Sequence, residues 1–131
     1  MTPAMADRRR IFVAWLPALA YMALIWTISS IELPELPLDR VPLRDKGVHF
    51  IEYAVLGFFV AHAALRTWPA HPASRTIPIA IMIGVAWGTL DEIHQSFVPG
   101  RYAEVADIVA DSLGATAGAF ARLGARWLRR R

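Results

Sequence analysis

The chain has 131 residues, of which 56% are hydrophobic and 19% charged, a balance that argues against an ordinary soluble domain and for burial in a membrane. The absence of cysteine excludes disulfide frameworks, thiolate nucleophiles and cysteine-based zinc sites. The formal net charge of +3 does not indicate nucleic acid, and no nucleic-acid partner is expected, because the basic residues sit at chain ends beside apolar runs.

The first predicted element covers residues 11–30. From Ile11 to Ser30 no side chain is charged, and at ~1.5 Å per residue the run matches a hydrocarbon layer ~30 Å thick. Arg8, Arg9 and Arg10 precede it as they would a signal peptide, but no A-x-A cleavage site follows Ser30, so retention as a membrane helix is expected. Pro17 lies inside the run, where its missing N–H predicts a kink that lipid tolerates.

The second element is expected over 47–66, with Asp45 as the N-cap that accepts an orphan backbone N–H. It carries His49, Glu52 and His62. The third is expected over 77–97, starting near Pro78, a residue suited to a first turn, and ending in Asp91, Glu92, His94 and Gln95. The Pro99-Gly100 turn signal then leads into a fourth element over 103–123, whose first half holds Glu104, Asp107 and Asp111.

Arg8–Arg10, Arg66, Arg75 and the arginines of the C-terminus carry most of the basic charge, and they alternate with Arg40, Arg44, Lys46 and Arg101 along the four spans. The positive-inside rule places the richer set in the cytoplasm. The expected fold class is therefore all-α: a single domain over 1–131, a multi-pass, four-transmembrane-helix bundle with both termini cytoplasmic. Trp68 and Trp127 fall where interfacial anchors tend to sit, with plain packing an equal alternative.

That topology collects the polar residues at the extracytoplasmic ends of helices two to four. At 100° per residue, Asp45, His49, Glu52 and Tyr53 share one side of the second helix, whereas His62 points elsewhere and reads as structural or interfacial. Asp91 and Gln95 continue the stripe of Gly84 and Gly88, and Glu104, Asp107 and Asp111 continue that of Gly114 and Gly118. Each glycine pair is a G-x-x-x-G spacing that permits close approach, so helices three and four are expected to pair through these faces; either face also offers a homo-oligomer contact.

Two motif blocks resemble the VanZ-like family of bacterial membrane proteins. One is Asp45-Lys46-x-x-His49-Phe50-x-x-Tyr53-x-x-Leu56-Gly57; the other is Asp91-Glu92-x-x-Gln95-x-Phe97-x-Pro99-Gly100-Arg101, continuing to Asp107, Gly114 and Gly118. The resemblance implies a four-helix, multi-pass protein of a bacterial inner membrane and so of the cell envelope, and a founding member is associated with low-level resistance to the glycopeptide teicoplanin. It supplies no reaction, and so does not decide whether the chain is an enzyme. Asp111 departs from the family pattern, where asparagine is frequent, and adds a potential charge to the site.

The candidate site residues are Asp45, Lys46, His49, Tyr53, Asp91, Glu92, Gln95, Arg101, Asp107 and Asp111. In the first reading they bind or modify a lipid or envelope-precursor amphiphile: Lys46 and Arg101 hold phosphate, His49 or His94 exchanges protons, and Asp91, Glu92 or Asp107 acts as base. A divalent metal bridging the carboxylates is the candidate cofactor, although no H-E-x-x-H or comparable spacing singles out its ligands. In the second reading the same residues pair among themselves and specify helix packing without catalysis. The third is ion or proton conduction, for which the inner halves of helices two to four offer only His62 as a continuing relay.

Overall fold

The computed structural model describes residues 3–32, 42–129 and 131. Among these residues the chain forms four helices: α1 Pro3–Ser29, α2 Pro42–Thr67, α3 Ala73–Gln95 and α4 Val105–Leu128. Three segments, Asp7–Ser29, Lys46–Thr67 and Ala73–Gln95, are long and apolar enough to cross a membrane.

Prolines set several boundaries. Pro42 opens α2 at a first-turn position where its missing N–H costs nothing. Asp45 is therefore not the N-cap; it lies within the helix, still near the positive end of the helix dipole, and its side chain is outside the described residues. Pro72 is the residue preceding α3, and its carbonyl accepts the N–H groups of Arg75 and Thr76. Pro78, expected to start α3, instead lies inside it, because Pro72 has already ended the preceding turn. At the far end of α3, Arg101 N–H closes on the Val98 carbonyl around Pro99 and Gly100, with Gly100 at φ 79°. Proline followed by a glycine of positive φ is the chemistry of a type II turn.

The packing corrects one sequence expectation. The glycine face of α4 seats on α2 rather than on α3: a Cβ at Gly114 would collide with the Phe50 carbonyl, and one at Gly118 with the Ala54 carbonyl. Gly57 of α2 reciprocates against the Ala115 backbone. The α3 glycines do face α4, Gly84 meeting Ala115 and Gly88 meeting Asp111. Small residues on both α2 and α4 let these backbones approach most closely, so α2 and α4 share the largest interface. All four glycines of the two G-x-x-x-G pairs are thus engaged within the chain.

α1 contributes a narrow stripe, Ala14, Ala18, Ile25 and Ser29, and exposes most of its remaining surface. Trp15 Nε1 donates to Thr67 Oγ1 at 2.9 Å and ties α1 to the C-terminal end of α2. The distribution of polarity is inverted relative to a soluble domain. Phe12, Leu16, Val48, Ile51, Met82 and Leu113 are among the exposed large apolar side chains, while His49, Asp91, Glu92, Asp107 and Asp111 are buried. Water would penalise both halves of that arrangement; hydrocarbon around the bundle favours both.

Candidate functional site

One end of the bundle gathers the C-terminal ends of α1 and α3 with the N-terminal ends of α2 and α4. The helix periods do this work. His49 and Tyr53 are one turn apart on α2, Asp91 and Gln95 one turn apart on α3, and Asp107 and Asp111 one turn apart on α4, so each pair projects from one face.

His49 Nδ1 donates to Asp111 Oδ1 at 2.9 Å across the α2–α4 interface. Lys46 Nζ bridges Glu104 Oε2, at 2.7 Å, and Asp107 Oδ1. Hydrogen bonding to this ammonium holds the exposed Glu104 carboxyl below the usual carboxylate range. Glu92 Oε1 accepts the Glu104 backbone N–H at 2.7 Å, which satisfies an orphan donor at the start of α4. On the α1 side, Ser29 Oγ donates to Asp91 Oδ2 at 2.7 Å, and Gln95 Nε2 donates to the same oxygen at 2.9 Å and to Ser29 Oγ at 3.3 Å.

Three buried oxygens of this cluster lack a hydrogen-bond partner among the described residues: Tyr53 Oη, Asp91 Oδ1 and Glu92 Oε2. Donor atoms of His49, Glu92 and Asp111 lie within 4.8 Å of one another. Ligands ~2.0–2.6 Å from one divalent ion can lie up to ~5 Å apart, so two carboxylates and an imidazole at this spacing fit such an ion. The absence of a side chain at Gly88 makes the cluster possible, since a Cβ there would come within 3.0 Å of both Tyr53 and Asp111.

Lys46, His49, Tyr53, Asp91, Glu92, Gln95, Asp107 and Asp111 thus occupy one continuous region. Arg101 does not join the acids: its guanidinium donates to the carbonyls of Ile28 at 2.8 Å and Ile31 at 3.3 Å, capping α1. His94 also turns to α1, stacking on Trp26 at 4.0 Å between centroids and meeting Ser30 Oγ at 2.8 Å. His62 lies toward the other end, where its Nδ1 accepts from Arg122 Nε at 3.1 Å. Sequence reasoning missed Ser29 because α1 read as a plain apolar span; the signal was there in the polar run Thr27, Ser29 and Ser30 at its end.

A family model described as VanZ/LLP1 matches residues 4–125 of the chain. No curated protein and no solved structure matches it.

Proposed function

We propose, since the chain belongs to the VanZ/LLP1 family, that it crosses a bacterial inner membrane four times with both termini in the cytoplasm, and that its polar cluster forms a chamber that binds the head of an amphiphile. The amphiphile is a lipid or a cell-envelope precursor approaching from the extracytoplasmic leaflet. Length supports α4 as the fourth span: its 24 residues extend ~36 Å. So does its polarity, with Asp107 and Asp111 turned inward while Val105, Val109, Leu113 and Phe120 face outward. The basic flanks of the N-terminus, of the α2–α3 connection and of the C-terminus support the orientation.

The observation that carries the binding role is the buried Glu92: its Oε2 has no hydrogen-bond partner among the described residues, and its carboxylate comes within 4.8 Å of ligand atoms of His49 and Asp111. A buried acceptor without a donor costs about 1–3 kcal/mol, a cost that a ligand or cation removes. His49, Glu92 and Asp111 are the residues that would hold a divalent cation, which when bound supplies Lewis-acid attraction for a phosphate-bearing head. Lys46, on the rim at Glu104 and Asp107, adds a cation to the same region. The link to glycopeptide resistance implied by the family resemblance becomes, in this proposal, a phenotype of the same chamber.

One observation favours the alternative of a purely structural cluster. The bonds of Ser29, Gln95 and Asp91 join α1 to α3, those of Lys46 with Asp107 and of His49 with Asp111 join α2 to α4, and the bond from the Glu104 N–H to Glu92 links the two pairs. Conduction has no comparable support. Between Tyr53 and His62 the buried positions of α2 are Leu56, Gly57, Val60 and Ala61, which carry no proton.

Mass spectrometry of lipids that copurify with the full chain, compared between wild type and Asp107→Asn, separates these readings. A species retained by the wild type and lost from a folded, membrane-inserted variant supports the chamber. Identical lipid content in both proteins, or loss of membrane accumulation in the variant, favours the structural cluster.

A further inference from the structure

The opposite end of the bundle holds a second feature that the acidic chamber does not explain. A cavity of about 590 Å³ opens between α1 and α2, walled by Arg9, Arg10, Val13 and Pro17 on one side and by His62 and Arg66 on the other. Among the described residues, no ion pair engages Arg9, Arg10 or Arg66. Three guanidinium groups and an imidazole therefore converge on one space, with no carboxylate among the described residues that line it.

His62 has a defined role there. A guanidinium can only donate, so the bond from Arg122 Nε makes His62 Nδ1 an acceptor and leaves the neutral ring's proton on Nε2. The ring thereby offers an N–H to an anion, as the three arginines do. The other walls differ in kind. Pro17 lies about 12 Å along α1 from Arg9, and between them the helix presents Val13 to the cavity and exposes Phe12 and Leu16 alongside it. The cavity is cationic at the end of the bundle and apolar toward its middle, the polarity profile of a phospholipid rather than of a free ion.

We propose that this cavity is a binding site for an anionic phospholipid, its phosphate held by Arg9, Arg10 and Arg66 and its acyl chain lying along Val13 and Pro17. Guanidinium groups match phosphate oxygens in bidentate fashion, which selects a bare phosphodiester over a headgroup carrying its own ammonium. The site is independent of the acidic chamber, from which the apolar middle of α2 separates it.

The test is native mass spectrometry of the full chain in a nonionic detergent, titrated with dioleoyl phosphatidylglycerol, dioleoyl phosphatidylcholine or inorganic phosphate. Phosphatidylglycerol is expected to bind most tightly, and each of Arg9→Gln, Arg10→Gln and Arg66→Gln to weaken it by roughly fivefold. Arg8→Gln, which removes the same charge outside the cavity, is expected to leave binding near the wild-type level. Equal binding of the two lipids, equal effects of Arg8→Gln and Arg66→Gln, or saturation by inorganic phosphate at the same concentrations would overturn the proposal. Because all four substituted arginines are on the surface, a variant that fails to fold is recognised by its melting transition, and the lipid comparison in the wild type decides alone.

Discussion

His49 of α2 and Asp111 of α4 meet at 2.9 Å inside the bundle, and the buried Glu92 of α3 brings a carboxylate oxygen within 4.8 Å of ligand atoms of both. Asp111→Asn preserves the volume and keeps an oxygen able to accept from His49, but removes one anionic ligand. The variant is expected to insert and fold as the wild type does, while its affinity for Mn²⁺ or Zn²⁺, measured by calorimetry in mild detergent, falls at least roughly 10-fold. Glu92→Gln should do the same. Wild-type protein that takes up no divalent ion from a chelator-buffered series would remove the cation from the proposal and leave the chamber to its protein donors.

The α2–α4 interface makes a sharper stability prediction. Gly114→Ala and Gly118→Ala each drive a methyl group into a backbone carbonyl of α2, which cannot swing aside as a side-chain tip can. Each is expected to destabilise the fold by about 1–3 kcal/mol. Gly124→Ala meets nothing within 4 Å and should be neutral or stabilising by up to ~1 kcal/mol through helix propensity. Thermal unfolding in detergent ranks the three variants, and a Gly118→Ala protein as stable as Gly124→Ala would contradict the close α2–α4 contact.

These glycines also mark how far the sequence could be read. The hydrophobic runs around Ala18, Val60 and Ile83 announce long helices because lipid demands uninterrupted apolar length, and one-turn spacings place His49 with Tyr53 and Asp107 with Asp111 on common faces. A G-x-x-x-G spacing states that a helix can be approached closely but not by which neighbour. By spacing alone Gly114 and Gly118 pair naturally with Gly84 and Gly88 of α3, whereas Gly57 and Ala54 supply the complementary surface on α2. Ser29 was illegible for a related reason: one hydroxyl at the end of an apolar run acquires meaning only when Asp91 and Gln95 are brought beside it. Arg101 illustrates the converse, since a cation beside acids in the chain satisfies the carbonyls of another helix.

Lys46 and Asp107 provide a test of charge burial. The Asp107 side chain is 4% exposed and its ammonium partner 25%, so Lys46→Met leaves a buried carboxylate without that partner. Removing one member of a buried pair costs about 3–5 kcal/mol, and the partial exposure of Lys46 sets the expectation near 3. Adding Asp107→Leu to Lys46→Met should recover most of the loss, because two apolar groups need no partner at all. A double variant no more stable than Lys46→Met would show that Asp107 holds the bundle through contacts other than this ion pair.

The membrane topology is open to a direct experiment because the chain has no cysteine, so each introduced thiol reports one position. Tyr102 is 77% exposed in the connection between α3 and α4, Ala70 is exposed between α2 and α3, and Arg131 is exposed at the C-terminus. With four spans and cytoplasmic termini, Tyr102→Cys is expected to react with a membrane-impermeant maleimide on intact cells. Ala70→Cys and Arg131→Cys should react only after permeabilisation. The comparison of Tyr102→Cys with Arg131→Cys bears on α4 alone: labelling of both from the outside would mean that α4 does not cross. The carboxylates at its start would then lie at a water-exposed surface, and hydrocarbon would no longer account for Val109 and Leu113 facing outward.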